Sequence, residues 1–115
     1  MSTENFGLAD LTNSIFNSLS VAGTTDTLLL GESQLRECLF LIDGLGQDAF
    51  DKYADQFPVL ESLKLVEKLN ANFPSTTATS LSTLGTGVLP GVHGMLGYTV
   101  RVPRSDNRLL NALKW

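Results

Sequence analysis

Thr77 stands in the segment Phe73-Pro74-Ser75-Thr76-Thr77-Ala78-Thr79-Ser80-Leu81, which runs on to Thr86-Gly87, Pro90 and His93-Gly94. Well before it, the apolar run Cys38-Leu39-Phe40-Leu41-Ile42 ends in Asp43-Gly44. A strand that delivers a carboxylate and a helix that opens on a hydroxyl cluster make a candidate metal-assisted nucleophile site. A threonine hydroxyl is a weak nucleophile until a base or a metal activates it. Zinc does this by direct coordination, as it does for water. The first turn of a helix adds free N–H groups and the positive end of the dipole, which favour a phosphate and an alkoxide.

Each piece also has a plainer reading. Open α/β sheets bind ligands beyond the carboxyl ends of their strands, where Asp43 would sit. Gly44 and Gly46 would let backbone approach a cation closely. Taken alone, Asp43-Gly44 reads more simply as a turn in which Asp bonds its own backbone. Ser75, Thr76, Thr77 and Thr79, taken alone, read as capping and solvated helix residues. His93 is the single histidine. In a Gly-rich loop it reads as a hydrogen-bonder that pins the loop, and an open zinc site needs three protein ligands. Gly44-Leu45-Gly46 and Gly85-Thr86-Gly87 complete neither G-x-G-x-x-G nor G-x-x-x-x-G-K-[ST], so they read as turn and helix-end geometry.

The elements that must position these residues follow from periodicity. Phe6, Leu8, Leu11, Ile15, Phe16 and Leu19 recur at three- and four-residue steps, predicting an amphipathic helix over about 5–20. Residues 21–33 read as a linker around Leu28-Leu29-Leu30. Residues 36–42 predict a strand buried on both faces of a parallel sheet. A helix is expected over 47–57, another from Pro58 to Leu65, and a second strand over 66–72. Ser75 or Thr76 caps a helix that runs to Leu84 and ends at Gly85. Residues 87–97 read as loop, 98–102 as a short strand, and 109–113 as the start of a further helix. Strand and helix in alternation predict an α/β fold with a mostly parallel sheet.

The bulk numbers bound the function. The chain has 115 residues, 43% hydrophobic and 17% charged, with a net charge of −4. That is one domain or part of one. Its eight Lys and Arg are scattered, which argues against a nucleic-acid footprint. The lone Cys38 reads as a buried packing residue with no disulfide partner. No basic stretch precedes an apolar core at the N-terminus, and no apolar run is long enough to cross a bilayer. A cytoplasmic protein is expected.

Taken together, the motifs resemble the alkaline phosphatase superfamily, and within it the nucleotide pyrophosphatase/phosphodiesterase branch. Three pieces carry the resemblance: the run ending in Asp43-Gly44, the Phe73-Pro74-Ser75-x-Thr77 turn, and Thr86-Gly87-x-x-Pro90-x-x-His93-Gly94. Their order and spacing agree over about residues 36–98. Gly97-Tyr98-Thr99 through Leu110-Asn111-Ala112-Leu113 is similar to bacterial members of the same superfamily. The resemblance implies a three-layer α/β fold with a mostly parallel sheet and flanking helices. It implies that Asp43 ligates one of two zinc ions. It makes Thr77 the nucleophile, touching the same metal, and gives the Ala78 N–H a phosphate oxygen to hold. His93 falls in a segment that the resemblance treats as structural. Many phosphodiesterase members carry an Asn three residues after the nucleophile that bonds the phosphate. Here that position is Ser80, so the preference for diesters over monoesters stays open.

The family's other zinc ligands come from downstream Asp and His motifs. No His follows His93, and Asp106 is the one later acid. The expectation is therefore the N-terminal part of a longer enzyme: a helix and linker at 1–33, then part of a catalytic domain at 34–115. The complete enzyme would hydrolyse small nucleotide-like phosphate esters, diesters or pyrophosphates, and this stretch alone would be inactive. No membrane partner is expected. A non-catalytic phosphate or nucleotide binder, or an interaction module, is the alternative. Within the superfamily, Thr77 speaks against the serine-using phosphoglycerate mutases, while the threonine-using phosphonate hydrolases fit.

Overall fold

The computed structural model describes residues 5–32, 36–53, 56–62 and 67–114. In chain order the elements are α1 (Leu8–Ser18), α2 (Gln47–Tyr53), α3 (Pro58–Glu61), α4 (Thr77–Thr86), α5 (Pro90–His93), β1 (Thr99–Arg101) and β2 (Leu109–Asn111). They fall into two compact units, one of Met1–Glu37 with Leu69–Trp115 and the other of Cys38–Lys68.

The first unit is built on α1 against α4. Gly7 precedes α1 in extended conformation, and its N–H donates to Asp10 Oδ2 at 2.8 Å. This satisfies one backbone donor at the helix entrance. The face that goes inside is not the apolar stripe. Ala9, Thr12, Ser14 and Ser18 are buried, while Phe16 and Leu19 stay more than a third exposed. The reason lies at the C-terminal end of α4, where the last carbonyls have no intrahelical partner. Thr12 Oγ1 donates to the Leu84 carbonyl at 2.9 Å, and Asn13 Nδ2 donates to the Gly87 carbonyl at 2.7 Å. Apolar side chains on that face would leave those carbonyls dry. α4 runs to Thr86, two residues past its expected last residue, Leu84. Its terminator is Gly87, left-handed at φ 69°, where an added Cβ would also press on Asn13 Nδ2 at 3.2 Å.

The linker after α1 is bonded down onto it. Ser14 Oγ accepts the Leu28 N–H at 3.0 Å, Asn17 Nδ2 donates to the Thr24 carbonyl, and Leu28 is buried. The Asp26 carboxylate accepts the N–H groups of Gly31 and Leu30 at 2.9 and 3.0 Å. Across the unit, Gly7 makes a single parallel bridge to Asn70. Of the second strand expected over 66–72, this bridge is what forms among the described residues; Val66 lies outside them.

β1 and β2 form a two-stranded antiparallel sheet with Thr99 opposite Asn111 and Arg101 opposite Leu109. The strand expected over 98–102 is thus present. The helix expected from Leu109 is instead β2. Arg104 and Asn107 adopt positive φ in the turn, which brings Leu109-Leu110 back beside Val100, so cross-strand pairing overrides the local preference. Residues 87–97, expected as loop, contain α5, started by Pro90 and closed by left-handed Gly94.

In the second unit, residues 38–42 form no ladder among the described residues, and each is exposed. The predicted buried strand is not seen there. Cys38, expected as a packing residue, is exposed as well, because among the described residues no strand pairs with the run. Asp43-Gly44 forms a turn with Gly44 at φ 79°. α2 then starts, with the Phe50 N–H bonded to the Gly46 carbonyl. Pro58 opens α3 as expected; Leu63–Leu65, the rest of that expected helix, lie outside the described residues. The sheet found among the described residues is the antiparallel pair. No helix among them is long and apolar enough to cross a membrane.

Two outcomes follow from this packing. Asn13→Ala removes the bonds to the Ala9 and Gly87 carbonyls and should destabilise the protein by about 1–2 kcal/mol, read as a lower denaturation midpoint at unchanged m-value. Asp26 is held below its ordinary pKa by the Gly31 and then the Leu30 N–H groups. A carboxyl depressed in the folded state stabilises above its unfolded pKa and loses that stabilisation as pH falls through the folded value. Wild type should therefore melt above Asp26→Asn at neutral pH. The gap should close below about pH 4 in a thermal melt series.

Candidate active site

Thr77 is the first residue of α4. Thr76 is the N-cap, with extended backbone (φ −97°, ψ 151°) and a side chain that accepts the Thr79 N–H at 3.2 Å. Its hydroxyl also pairs with Thr79 Oγ1 at 2.8 Å. The Ser80 N–H donates to the Thr76 carbonyl at 2.9 Å, which starts the helical ladder. Ahead of the cap, the chain enters through a cis Phe73–Pro74 peptide.

This arrangement sorts the hydroxyl cluster by role. Thr77 is exposed, Ala78 and Thr79 are buried, and Ser80 is half-buried. Thr77 and Ser80 are three apart, hence on one side of the first turn. Thr79 was expected among solvated helix residues. It is instead fully buried with Thr83, one turn on, and these two line the inner side of α4. The Ala78 N–H belongs to the first turn and has no acceptor within the helix. The turn therefore offers an exposed hydroxyl beside inward-held amides, with the helix dipole behind them.

His93 is half-buried, and both of its ring nitrogens are engaged. Nδ1 accepts the Met95 N–H at 3.0 Å, and Nε2 lies 3.0 Å from Thr83 Oγ1. Asn72 Nδ2 donates to the same Thr83 oxygen at 2.7 Å. His93 pins its loop, and neither nitrogen is left for a cation. Asn72 and Thr83 were not singled out from sequence. The signal available was the spacing Thr76, Thr79, Thr83, a hydroxyl stripe at helical steps on the side turned away from Thr77.

Asp43 lies in the other unit, exposed, in the turn between residues 38–42 and α2. Thr77, Ala78 and Ser80 share one helical turn; Asp43 comes from a separate segment. As donors, the Asp43 carboxylate and the Thr77 hydroxyl suit a hard or borderline cation. Two oxygens fall short of the three protein ligands of an open zinc site. Among the described residues no three of His, Cys, Asp and Glu come together to hold a metal ion.

Comparison with known proteins gives one finding. A family model described as type I phosphodiesterase / nucleotide pyrophosphatase matches residues 38–112. No curated protein and no solved structure gives a match. The matched stretch takes in the Asp43-Gly44 turn and all of α4, and it covers well over half of the chain. On that ground the chain belongs to the type I phosphodiesterase / nucleotide pyrophosphatase family, within the alkaline phosphatase superfamily.

Proposed function

We propose that this chain provides the nucleophile turn of a phosphoester hydrolase acting on nucleotide-like diesters, pyrophosphates or related esters. The observation that carries the reading is the exposed Thr77 at the first position of α4, behind the Thr76 cap and inside the family match. Thr77 Oγ attacks phosphorus as its hydroxyl proton passes to a base or to solvent, and the alkoxide or phosphate on the opposite side departs with the bonding electrons and takes up a proton. Water then attacks the phosphothreonine and returns the Thr77 hydroxyl. The Ala78 N–H and the Ser80 hydroxyl hold the non-bridging oxygens, where developing negative charge meets the positive end of the helix.

Asp43 and Thr77 are this chain's proposed oxygen donors to a two-zinc centre; further ligands are not among the described residues. The proposed domain is a three-layer α/β fold in which residues 34–115 form part of the catalytic unit and 1–33 lead into it. The bonds from Thr12 and Asn13 to the end of α4 support a lead-in helix that braces the nucleophile helix.

Hydrolysis of bis(p-nitrophenyl) phosphate with added Zn²⁺ tests the assignment. Thr77→Ala should lower kcat by about a thousandfold or more, with the fold intact by circular dichroism. Turnover retained in that variant would sink the nucleophile role. If the complete protein binds a nucleoside monophosphate, yet turns over no phosphoester, a phosphate-binding module on the same helix terminus is favoured.

A further inference from the structure

We propose that His93 is a positioning residue: acting through Thr83, it holds the turn that presents Thr77. The inference rests on the nucleophile reading for its kinetic consequence, while its geometry stands apart from that reading.

Thr83 is fully buried on the inner side of α4. Nδ1 of His93 accepts a backbone N–H from Met95 at 3.0 Å and so carries no proton. A neutral imidazole then has its hydrogen on Nε2. Nε2–H therefore donates to Thr83 Oγ1 across 3.0 Å. Asn72 Nδ2 donates to that oxygen from another direction at 2.7 Å. A hydroxyl oxygen accepts through two lone pairs, and both are used.

The consequence lies in where Asn72 sits. It immediately precedes Phe73-Pro74-Ser75-Thr76, the segment that delivers Thr77. That segment is clasped to α4 at both ends. At one end Asn72 holds Thr83, and at the other Thr76 holds Thr79 through its backbone N–H and its hydroxyl. Thr79 and Thr83 are one helical turn apart, so both clasps close on the same face, away from Thr77. His93 enters from α5 and is itself fixed by Met95. One ring thus ties together the approach to α4, the body of α4 and the loop after α5. Without the Nε2–H donor, the Thr83 hydroxyl can rotate, and Asn72 loses the fixed acceptor that sets the entry angle to Thr77. A displacement of about 1 Å at a reacting atom can cost about a hundredfold in rate.

Two substitutions divide the ring's functions. His93→Gln keeps an amide N–H near the position of Nε2 and gives up the Nδ1 acceptor. His93→Asn keeps an acceptor near Nδ1 and gives up the donor to Thr83. Each full-length variant is assayed for kcat and KM with bis(p-nitrophenyl) phosphate. Thr77 and Ala78 amide resonances are followed by ¹H–¹⁵N NMR, and the wild-type ring tautomer by long-range ¹H–¹⁵N correlation. His93→Asn should lose about 10- to 100-fold in kcat, with KM changed by less than about threefold, and should shift both amides. His93→Gln should retain most of kcat and leave the amides near their wild-type positions. Equal behaviour of the two variants, rescue by Asn and not by Gln, or a wild-type ring protonated on Nδ1 overturns the proposal. If the complete wild-type protein hydrolyses nothing, the nucleophile reading has failed, and the amide shifts and the tautomer still decide the clasp. If a His93 variant does not fold, Thr83→Ser, which keeps Oγ1, should match wild type in both amides. Thr83→Val, which removes Oγ1, should shift them; amides unmoved by Thr83→Val overturn the proposal.

Discussion

A hydroxyl that leaves water must find a partner, and three are fully buried among the described residues: Ser14, Thr79 and Thr83. An unpaired buried polar group costs about 1–3 kcal/mol, so each fixes something else in place. Ser14 holds the linker through the Leu28 N–H. Thr79 answers the Thr76 cap. Thr83 takes Asn72 and His93. Among the described residues no buried side-chain nitrogen or oxygen lacks a partner. The buried apolar side chains among them are Ala9, Leu28 and Ala78. Apolar burial is non-directional, and here little of it is available to orient α1 on α4. Directional bonds from Thr12 and Asn13 to the end of α4 do so instead, and other bonds of the same kind set the turn that carries Thr77.

Legibility from sequence followed how local each signal was. The helix at Thr77 and its Thr76 cap depend on a few neighbouring residues, and both were readable. So were Pro58 as a helix start and the short strand near Tyr98. His93 as a loop pin was readable too, because a lone ring among glycines has few other roles. Signals that depend on distant partners failed. The stripe of Phe6, Leu11, Ile15 and Phe16 gave the helix but the wrong buried face, since the deciding acceptors lie more than seventy positions later, at Leu84 and Gly87. Leu109-Leu110 reads as helical until Arg104 and Asn107 turn the chain back on itself. Residues 38–42 have strand composition, yet a ladder needs neighbours that the described residues do not provide.

The candidate site shows the same division. The family segment and the first turn of α4 were legible as a block, because Thr77, its cap and its amides lie within a few residues of one another. The clasp behind them was not. Asn72 sits before the cis-proline turn and His93 beyond α5, and only folding brings them to one oxygen. Nothing in the type or spacing of Asn72 sets it apart from the chain's other asparagines. The part of a site that faces substrate can be compact in sequence, while the part that holds it still is assembled from far apart.

The magnitudes limit what the Thr77 turn achieves by itself. An aliphatic hydroxyl is about as weak an acid as water and stays protonated at neutral pH by a wide margin. Each pKa unit of that margin costs about 1.4 kcal/mol to bridge. A helix N-terminus contributes about 0.3–1 kcal/mol to a nearby negative charge, and about 2 kcal/mol in a favourable, partly buried setting. The dipole of α4 therefore supplies only a small part of what ionising the Thr77 hydroxyl requires. Its amides contribute more after attack, when charge develops on phosphate oxygens, than to making the alkoxide beforehand. Activation must come from a base or a cation that meets the hydroxyl on its exposed side. That requirement explains the division within α4. Thr79 and Thr83 hold the helix through internal bonds, while Thr77 is exposed, on the side from which the proposed activating group and phosphorus atom would come.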